Sequence, residues 1–248
     1  MATGPPQSST TCACGTSTGG VDVTRQLDGR PTPAAGDGGT AASRAAEAGR
    51  RALDICLAGT ALALLAPVLL LIAVAIRCDS PGPVLYSQPR AGRSRRVFRL
   101  YKFRTMVADA DELLGDVLAL NLHAGEHGDP RLYKIPADPR ITRVGALLRR
   151  HSLDELPQLV NVVKGDMALV GPRPLMLMED QHVRGPAAVR AAVRPGITGP
   201  WQVGGRNDLS FEEMMMLDRD YVANRSLAGD LRLLLRTVPV VLRPQRAC

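Results

Sequence analysis

The pattern of apolar and polar positions divides the chain into three unequal stretches. Residues 1–48 show no apolar periodicity and are rich in Gly, Ser, Thr, Ala and Pro, a composition that cannot bury enough surface to offset chain entropy, so a disordered tail is predicted. The first cation there is Arg25 and no apolar h-region follows it, so the tail does not read as a secretory signal. An uncharged run from Ile55 to Ile76, "ICLAGTALALLAPVLLLIAVAI", then predicts a membrane-embedded helix within 49–79. At roughly 1.5 Å per residue the run reaches about 30 Å, enough for a full crossing, so length alone leaves topology open.

From residue 80 to 248 the pattern changes to short periodic pieces. Ser80-Pro81-Gly82-Pro83 ends the helix, and "VLYSQ" and "VFRLYKFRTM" alternate as two strands around a turn at Gly92. "VADADELLGDVLAL" has helical spacing with an acidic outer face. "ITRVGALLRR" sets Val144, Leu147 and Leu148 on one stripe of a helix that ends in cations. Ser152-Leu153-Asp154-Glu155 matches a capping box, against which Pro157 argues in part, because proline fits best at the first helical position. "GDMALVGPRP" reads as a short strand running into a turn, and "RPGITGPWQVGG" as turn-rich. "SFEEMMMLDRDYVAN" opens at a Ser210 cap with an apolar stripe through Phe211, Met214, Met215 and Tyr221. "SLAGDLRLLLRTVPVVLR" fits an interfacial amphipathic helix and a core helix equally well.

Charge sharpens the topology. Arg50 and Arg51 precede the apolar run, and Arg77, Arg90, Arg93, Arg95 and Arg96 follow it, so a spanning helix would have to place one basic flank outside the cell. Pro67, near the middle, removes a backbone donor and bends the helix, and a re-entrant hairpin keeps both flanks inside. A spanning helix and a buried core helix are the alternatives. The whole chain of 248 residues carries 31 Lys+Arg against 24 Asp+Glu, a net charge of +7 that favours anionic partners. Aromatics make up only 3%, with one Trp, so the stacking platforms of nucleic-acid binders are missing and no nucleic-acid partner is expected. The five cysteines are scattered, without zinc-site or disulfide spacing, and point to a reducing, cytosolic face.

The candidate chemistry centres on Asp154 and Glu155. Adjacent residues at a helix start do not face each other, so distinct roles follow more naturally than a shared proton: one carboxylate attacks phosphorus while the other helps to hold a cation or a water. Mg²⁺ suits them, because it is commonly held by one or two carboxylates plus substrate phosphates. Arg173, between two prolines, reads either as a bidentate phosphate contact or as an internal salt bridge. Lys102 and Arg104 belong either to a basic patch facing anionic lipid or to the substrate phosphate site. Trp201 could pack the core, line a nucleotide pocket or sit at the membrane interface, and Arg206 is a weaker candidate for substrate contact. His123 and His127 have the spacing of a metal pair, but on a Gly-interrupted loop without a third ligand.

"SPGPVLYSQPRAG", "FRLYKFRTM", "DPRITRVGALLRRHSLDELPQLVNVVKGDMALVGPRP", "RPGITGPWQV" and "LDRDYVANRSLAGDL" together resemble the bacterial sugar transferases, the monotopic polyprenyl-phosphate phosphoglycosyl transferases, over about residues 50–243. The resemblance implies transfer of a sugar 1-phosphate from a UDP-sugar to undecaprenyl phosphate, with release of UMP and a requirement for Mg²⁺. It implies Asp154 as the nucleophile that becomes phosphoglycosylated and binds the metal with substrate phosphates, Glu155 as its partner, and Arg149 and Arg173 near substrate phosphate. It also implies a re-entrant helix bent at Pro67, although the family's usual Ser-Pro pair is Ala66-Pro67 here. The expected fold class is α+β, mostly helical: a re-entrant membrane helix hairpin plus a small cytosolic catalytic domain, 80–248, with short strands and amphipathic interfacial helices. The expected location is the cytoplasmic face of the inner membrane. The expected partners are a UDP-sugar, undecaprenyl phosphate and anionic membrane lipids, with a homodimer left open. Two other functions share the carboxylates: a catalytically silent adaptor of glycan assembly, and a phosphohydrolase with water as acceptor.

Overall fold

The computed structural model describes residues 41–117, 120–121, 135, 138–204 and 209–242, so residues 1–40 of the expected tail lie outside the described residues. Helix α1, Ala41–Asp79, is one continuous helix of 39 residues with Pro67 inside it. It begins within the stretch assigned by composition to the tail, because "AASRAAEAGRR" is dense in alanine and other strong helix formers. α1 is long and apolar enough to cross a membrane by length and composition.

The domain is built along one side of this helix. Ala58 packs with Leu100, Leu159, Val162 and Met167, and Ile72 and Ile76 pack with Phe103 and Leu148. The ends are fastened by polar contacts. Glu47 pairs with Arg194 at 2.9 Å and Arg225 at 3.0 Å, Arg51 donates to the carbonyls of Val162 and Val163, and the Asp79 carboxylate accepts from the Val144 amide at 3.0 Å.

Strands β1, Leu85–Ala91, and β2, Val97–Phe103, form the antiparallel hairpin expected around Gly92, in register from Leu85 opposite Phe103 to Ala91 opposite Val97. Its turn is a 3₁₀ segment, Arg93–Arg95, in which Ser94 and Arg95 take positive φ. Among the described residues, the helix expected over "VADADELLGDVLAL" is reduced to a single turn, α2, Leu114–Val117. Gly115 and the aspartates are poor helix formers, and among the described residues of that stretch only Ala110 and Val117 bury an apolar side chain to compensate. Helix α3, Arg143–Arg150, starts where the Thr142 hydroxyl accepts from the Gly145 amide at 3.0 Å. It buries Leu148 but leaves Leu147 exposed, so its inward stripe is narrower than the spacing suggested.

Helix α4 is Gln158–Lys164, and β3, Ala168–Val170, pairs in parallel with β4, Gly196–Thr198, inside a stretch expected only to turn. After α5, Leu177–Asp180, a 3₁₀ helix over Gly185–Ala192, and α6, Pro200–Gly204, come α7, Phe211–Ala223, and α8, Leu227–Leu242. The Ser210 cap is present as a full capping box with Glu213. Phe211, Met214 and Met215 bury against Trp201, Leu175 and Val183, whereas Tyr221 donates its hydroxyl to Asp230 at 2.7 Å. α8 exposes Leu227, Leu231, Leu235 and Val238. The architecture is therefore mostly helical with a few short strands and one long apolar helix.

Asn161 ties α4 to the hairpin. Its fully buried side chain accepts from the Tyr101 amide at 3.0 Å and donates to the Arg99 carbonyl at 2.7 Å, filling the outer edge of β2 as a neighbouring strand would. Asn161→Ala removes the partner of both part-buried backbone groups, which costs about 1–3 kcal/mol. Thermal and denaturant unfolding of the detergent-solubilised protein should show this loss, and a variant as stable as the native chain would remove the bridging role.

Candidate active site

The two carboxylates stand on a 3₁₀ turn, Leu153–Glu155, between α3 and α4. Ser152 takes a left-handed conformation with φ of 55° and makes no side-chain capping bond, so the expected capping box is not formed. The reason is local: α4 starts only at Gln158, after Pro157, and the Glu155 carboxylate is engaged elsewhere. Lys102, on β2, donates to Glu155 Oε1 at 2.8 Å and lies 3.8 Å from Asp154 Oδ2. Arg173 Nη1 approaches the same Glu155 oxygen at 3.7 Å.

The end of α3 supplies the next cation. Gly145 runs so close to the Thr105 backbone that any Cβ would collide with the Thr105 carbonyl, and this approach seats the first turn of the helix against the segment that follows β2. Arg149 then donates its Nε to Thr105 Oγ1 at 2.9 Å, with Asp154 within its electrostatic reach. Lys102, Arg149 and Arg173 are thereby brought around Asp154 and Glu155.

Arg104 is not part of this group. Its guanidinium is buried, donating to the carbonyls of Ser80 and Pro81 at 2.7 and 2.6 Å and to Ser80 Oγ at 2.9 Å, so it staples the turn that follows α1. Alternation alone would put Lys102 and Arg104 on one face, but Arg104 lies one residue past the end of β2, against the turn at Ser80 and Pro81, whereas Lys102 is on the strand and meets the carboxylate turn. Trp201, whose role the residues alone left open, is buried in the α7 cluster, and Arg173 lies over its ring at 5.5 Å from the centroid. A cation absent from the sequence-based set is Arg90, buried on β1 and bonded to the Pro174 carbonyl at 3.3 Å and Gln88 Oε1 at 2.6 Å. Its signal was parity, since Gln88 and Arg90 fall on one face of the strand. Arg206, His123 and His127 lie outside the described residues.

The surroundings push the two carboxylates in opposite directions. Burial raises the Asp154 carboxyl above the ordinary range, against the opposing field of Lys102, and the Glu155 charge adds to the rise. Burial acts in the same direction on Glu155, but Lys102 and Arg173, aided by Arg90, outweigh it and hold that carboxyl down to about 2. Arg90 itself is lowered to about 10 by burial and by the neighbouring Arg173. The result is one permanently ionised carboxylate clamped by cations beside a second, desolvated carboxylate of higher basicity. Among the described residues no three His, Cys, Asp or Glu side chains gather as a metal site. Two adjacent carboxylates fit an oxygen-seeking divalent ion whose remaining positions are filled by substrate phosphates and water.

Comparison with known proteins places this geometry in context. The chain is 41% identical over 192 residues to the exopolysaccharide production protein ExoY of Rhizobium meliloti, covering 77% of this chain and 84% of that protein. It is 42% identical over 206 residues to the UDP-glucose:undecaprenyl-phosphate glucose-1-phosphate transferase of Caulobacter vibrioides, covering 80% and 71%. It is 40% identical over 194 residues to the undecaprenyl-phosphate galactose phosphotransferase of Salmonella typhimurium, covering 78% of this chain but 40% of that protein. The chain thus spans most of some curated relatives and about two fifths of others, such as an uncharacterized sugar transferase of Haemophilus influenzae, of which it covers 41%. With a family model matching residues 45–244, which takes in most of α1, the hairpin and the carboxylate turn alike, the chain belongs to the bacterial sugar transferase family.

Proposed function

We propose that this protein is a phosphoglycosyl transferase that moves a sugar 1-phosphate from a UDP-sugar to undecaprenyl phosphate, releasing UMP, as the first membrane step of exopolysaccharide, capsule or other surface-glycan assembly. The observation that carries the reading is the electrostatic separation of Asp154 from Glu155 inside a ring of cations, on a domain fastened to a long apolar helix. The names of the Caulobacter and Salmonella relatives support the substrate classes.

In this reading an Asp154 oxygen attacks the phosphorus that bears the sugar. The bond to the bridging oxygen breaks, UMP leaves, and the sugar phosphate is held on Asp154 as an acyl phosphate. An oxygen of undecaprenyl phosphate then attacks the same phosphorus, the Asp154 O–P bond breaks, and the carboxylate is restored with a lipid diphosphate sugar as product. Desolvation keeps Asp154 a strong nucleophile, and Lys102 limits the rise of its pKa. Glu155 holds Lys102 and Arg173 in place, and Arg149 and Arg173 meet the charge that develops on phosphate oxygens. Mg²⁺, held by Asp154 and substrate phosphates, would neutralise phosphate charge in the manner of other phosphoryl-transfer sites.

A lipid-borne acceptor cannot leave the bilayer, so the nucleophile must be brought to its surface. The outer side of α1 is apolar, with Leu64, Leu70 and Leu71 exposed by 74%, 66% and 69%, which suits contact with lipid rather than water. Both ends of α1 bond to the same domain, through Glu47 and Arg51 at one end and Asp79 at the other. This supports a re-entrant helix that bends near Pro67 and returns to the cytoplasmic face of the inner membrane, with the basic flanks against anionic lipid.

Asp154→Asn should lower UMP release by at least about a thousandfold, and chelation with EDTA should stop the native enzyme until Mg²⁺ is restored. Retained turnover in either case would reject the corresponding role. Arg149→Ala should reduce kcat/KM at least about tenfold, whereas Arg104→Ala should lower the melting temperature. For topology, Gly49→Cys and the native Cys78 are probed with a membrane-impermeant maleimide, the other cysteines having been replaced by serine. Both sites should be silent in intact cells and labelled in inside-out vesicles, and labelling of either from outside would show a spanning helix.

A further inference from the structure

We propose that the buried Arg190–Asp218 pair is a positioning device for Arg173, acting through the main chain of the Gly171–Pro174 turn without touching substrate. The inference rests on the phosphate role given to Arg173 above. Two of the turn's residues are prolines, so Pro172 and Pro174 have no N–H with which to anchor it. Beyond the Gly171 amide, which donates to the Thr198 carbonyl at 2.9 Å, the turn is pinned by its carbonyls. Pro172 O accepts from the Gly196 amide at 2.8 Å, Arg173 O from Arg190 Nη2 at 2.6 Å, Pro174 O from Arg90 Nη1 at 3.3 Å, and Leu175 O from the Ala91 amide at 3.1 Å. Successive carbonyls are thus held by β4, the 3₁₀ helix and β1, and the shortest of these bonds is the one to Arg173 itself.

Its donor is in turn fixed from within the core. Asp218, on α7 and fully buried, accepts from Arg190 Nε at 3.0 Å and lies 2.9 Å from Arg190 Nη2, so a single planar guanidinium joins the carboxylate to the Arg173 carbonyl. The same helix contributes Phe211, Met214 and Met215 to the cluster that buries Trp201, the ring over which the Arg173 guanidinium lies. α7 therefore supports Arg173 twice, at its backbone through Arg190 and at its side chain through Trp201. Stability alone does not account for the pair. Among the described residues Asp218 Oδ1 has no hydrogen-bond partner, and well-packed apolar side chains commonly serve a core as well as a buried ion pair does. What apolar side chains cannot supply is a donor aimed at the Arg173 carbonyl.

The test is a double-mutant cycle on UMP release by the full chain in membranes, with Arg190→Lys, Asp218→Asn and Arg173→Ala singly and in pairs. Lysine keeps a cation beside Asp218 but has no fork to reach the Arg173 carbonyl as well, so Arg190→Lys should melt close to the native temperature. It should raise the KM for the UDP-sugar about ten- to a hundredfold while leaving the KM for undecaprenyl phosphate unchanged. In the Arg173→Ala background the same substitution should have no further effect. Asp218→Asn should repeat this pattern; if it fails to fold, the Arg190→Lys cycle decides. A native KM in Arg190→Lys, or losses that multiply with those of Arg173→Ala, would overturn the positioning role. A native enzyme that releases no UMP from any UDP-sugar would instead overturn the transfer reading on which the inference rests.

Discussion

The structure depends on one helix meeting two environments at once. The inward side of α1 completes two of the domain's apolar clusters, through Ala58 and through Ile72 and Ile76, while its outward side presents leucines that the described residues leave exposed. Neither side is dispensable. Removing α1 would open the packing of β2, α3 and α4, the elements that carry Lys102, Arg149 and the carboxylate turn. An apolar surface of this kind suits lipid, so the candidate site and the membrane-facing side of α1 are referred to the same packed unit.

The site itself is an arrangement of charge more than of shape. Lys102 lies within 3.8 Å of both carboxylates but bonds only Glu155, and this asymmetry, with Arg173 on the Glu155 side and Arg149 on the Asp154 side, separates two chemically similar groups. Backbone devices fix each partner: the close approach of Gly145 to Thr105 for Arg149, the 3₁₀ turn for the carboxylates, and the bonded carbonyls of a proline-flanked turn for Arg173. Preorganisation of this kind suits phosphoryl transfer, where positioning and electrostatic stabilisation supply most of the catalysis.

Features that depend on local pattern were legible in the sequence. The apolar run, the hairpin around Gly92, the Ser210 cap and the α3 helix follow from periodicity and turn chemistry, and the carboxylate pair stood out beside its cations. What failed was long-range or conformational. The Ser152 capping box has the right letters, but a left-handed Ser152 and a proline at position 157 interpose a 3₁₀ turn. Strand β4 is three residues long and flanked by glycine, so only its pairing with β3 reveals it. Arg104 and Lys102 look alike along the strand, and the turn at Ser80 and Pro81 decides between them. Arg190 and Asp218 stand 28 residues apart with no local pattern to join them, and only the fold buries them together.

The central claim is that Asp154 carries the sugar phosphate covalently between two transfers. Intact-protein mass spectrometry of the enzyme incubated with UDP-sugar and Mg²⁺, without undecaprenyl phosphate, tests it directly. The native chain should gain the mass of one sugar phosphate, mapped to Asp154 and discharged when the lipid acceptor is added. An active enzyme whose mass never changes, or an adduct that persists in Asp154→Asn, would contradict the account.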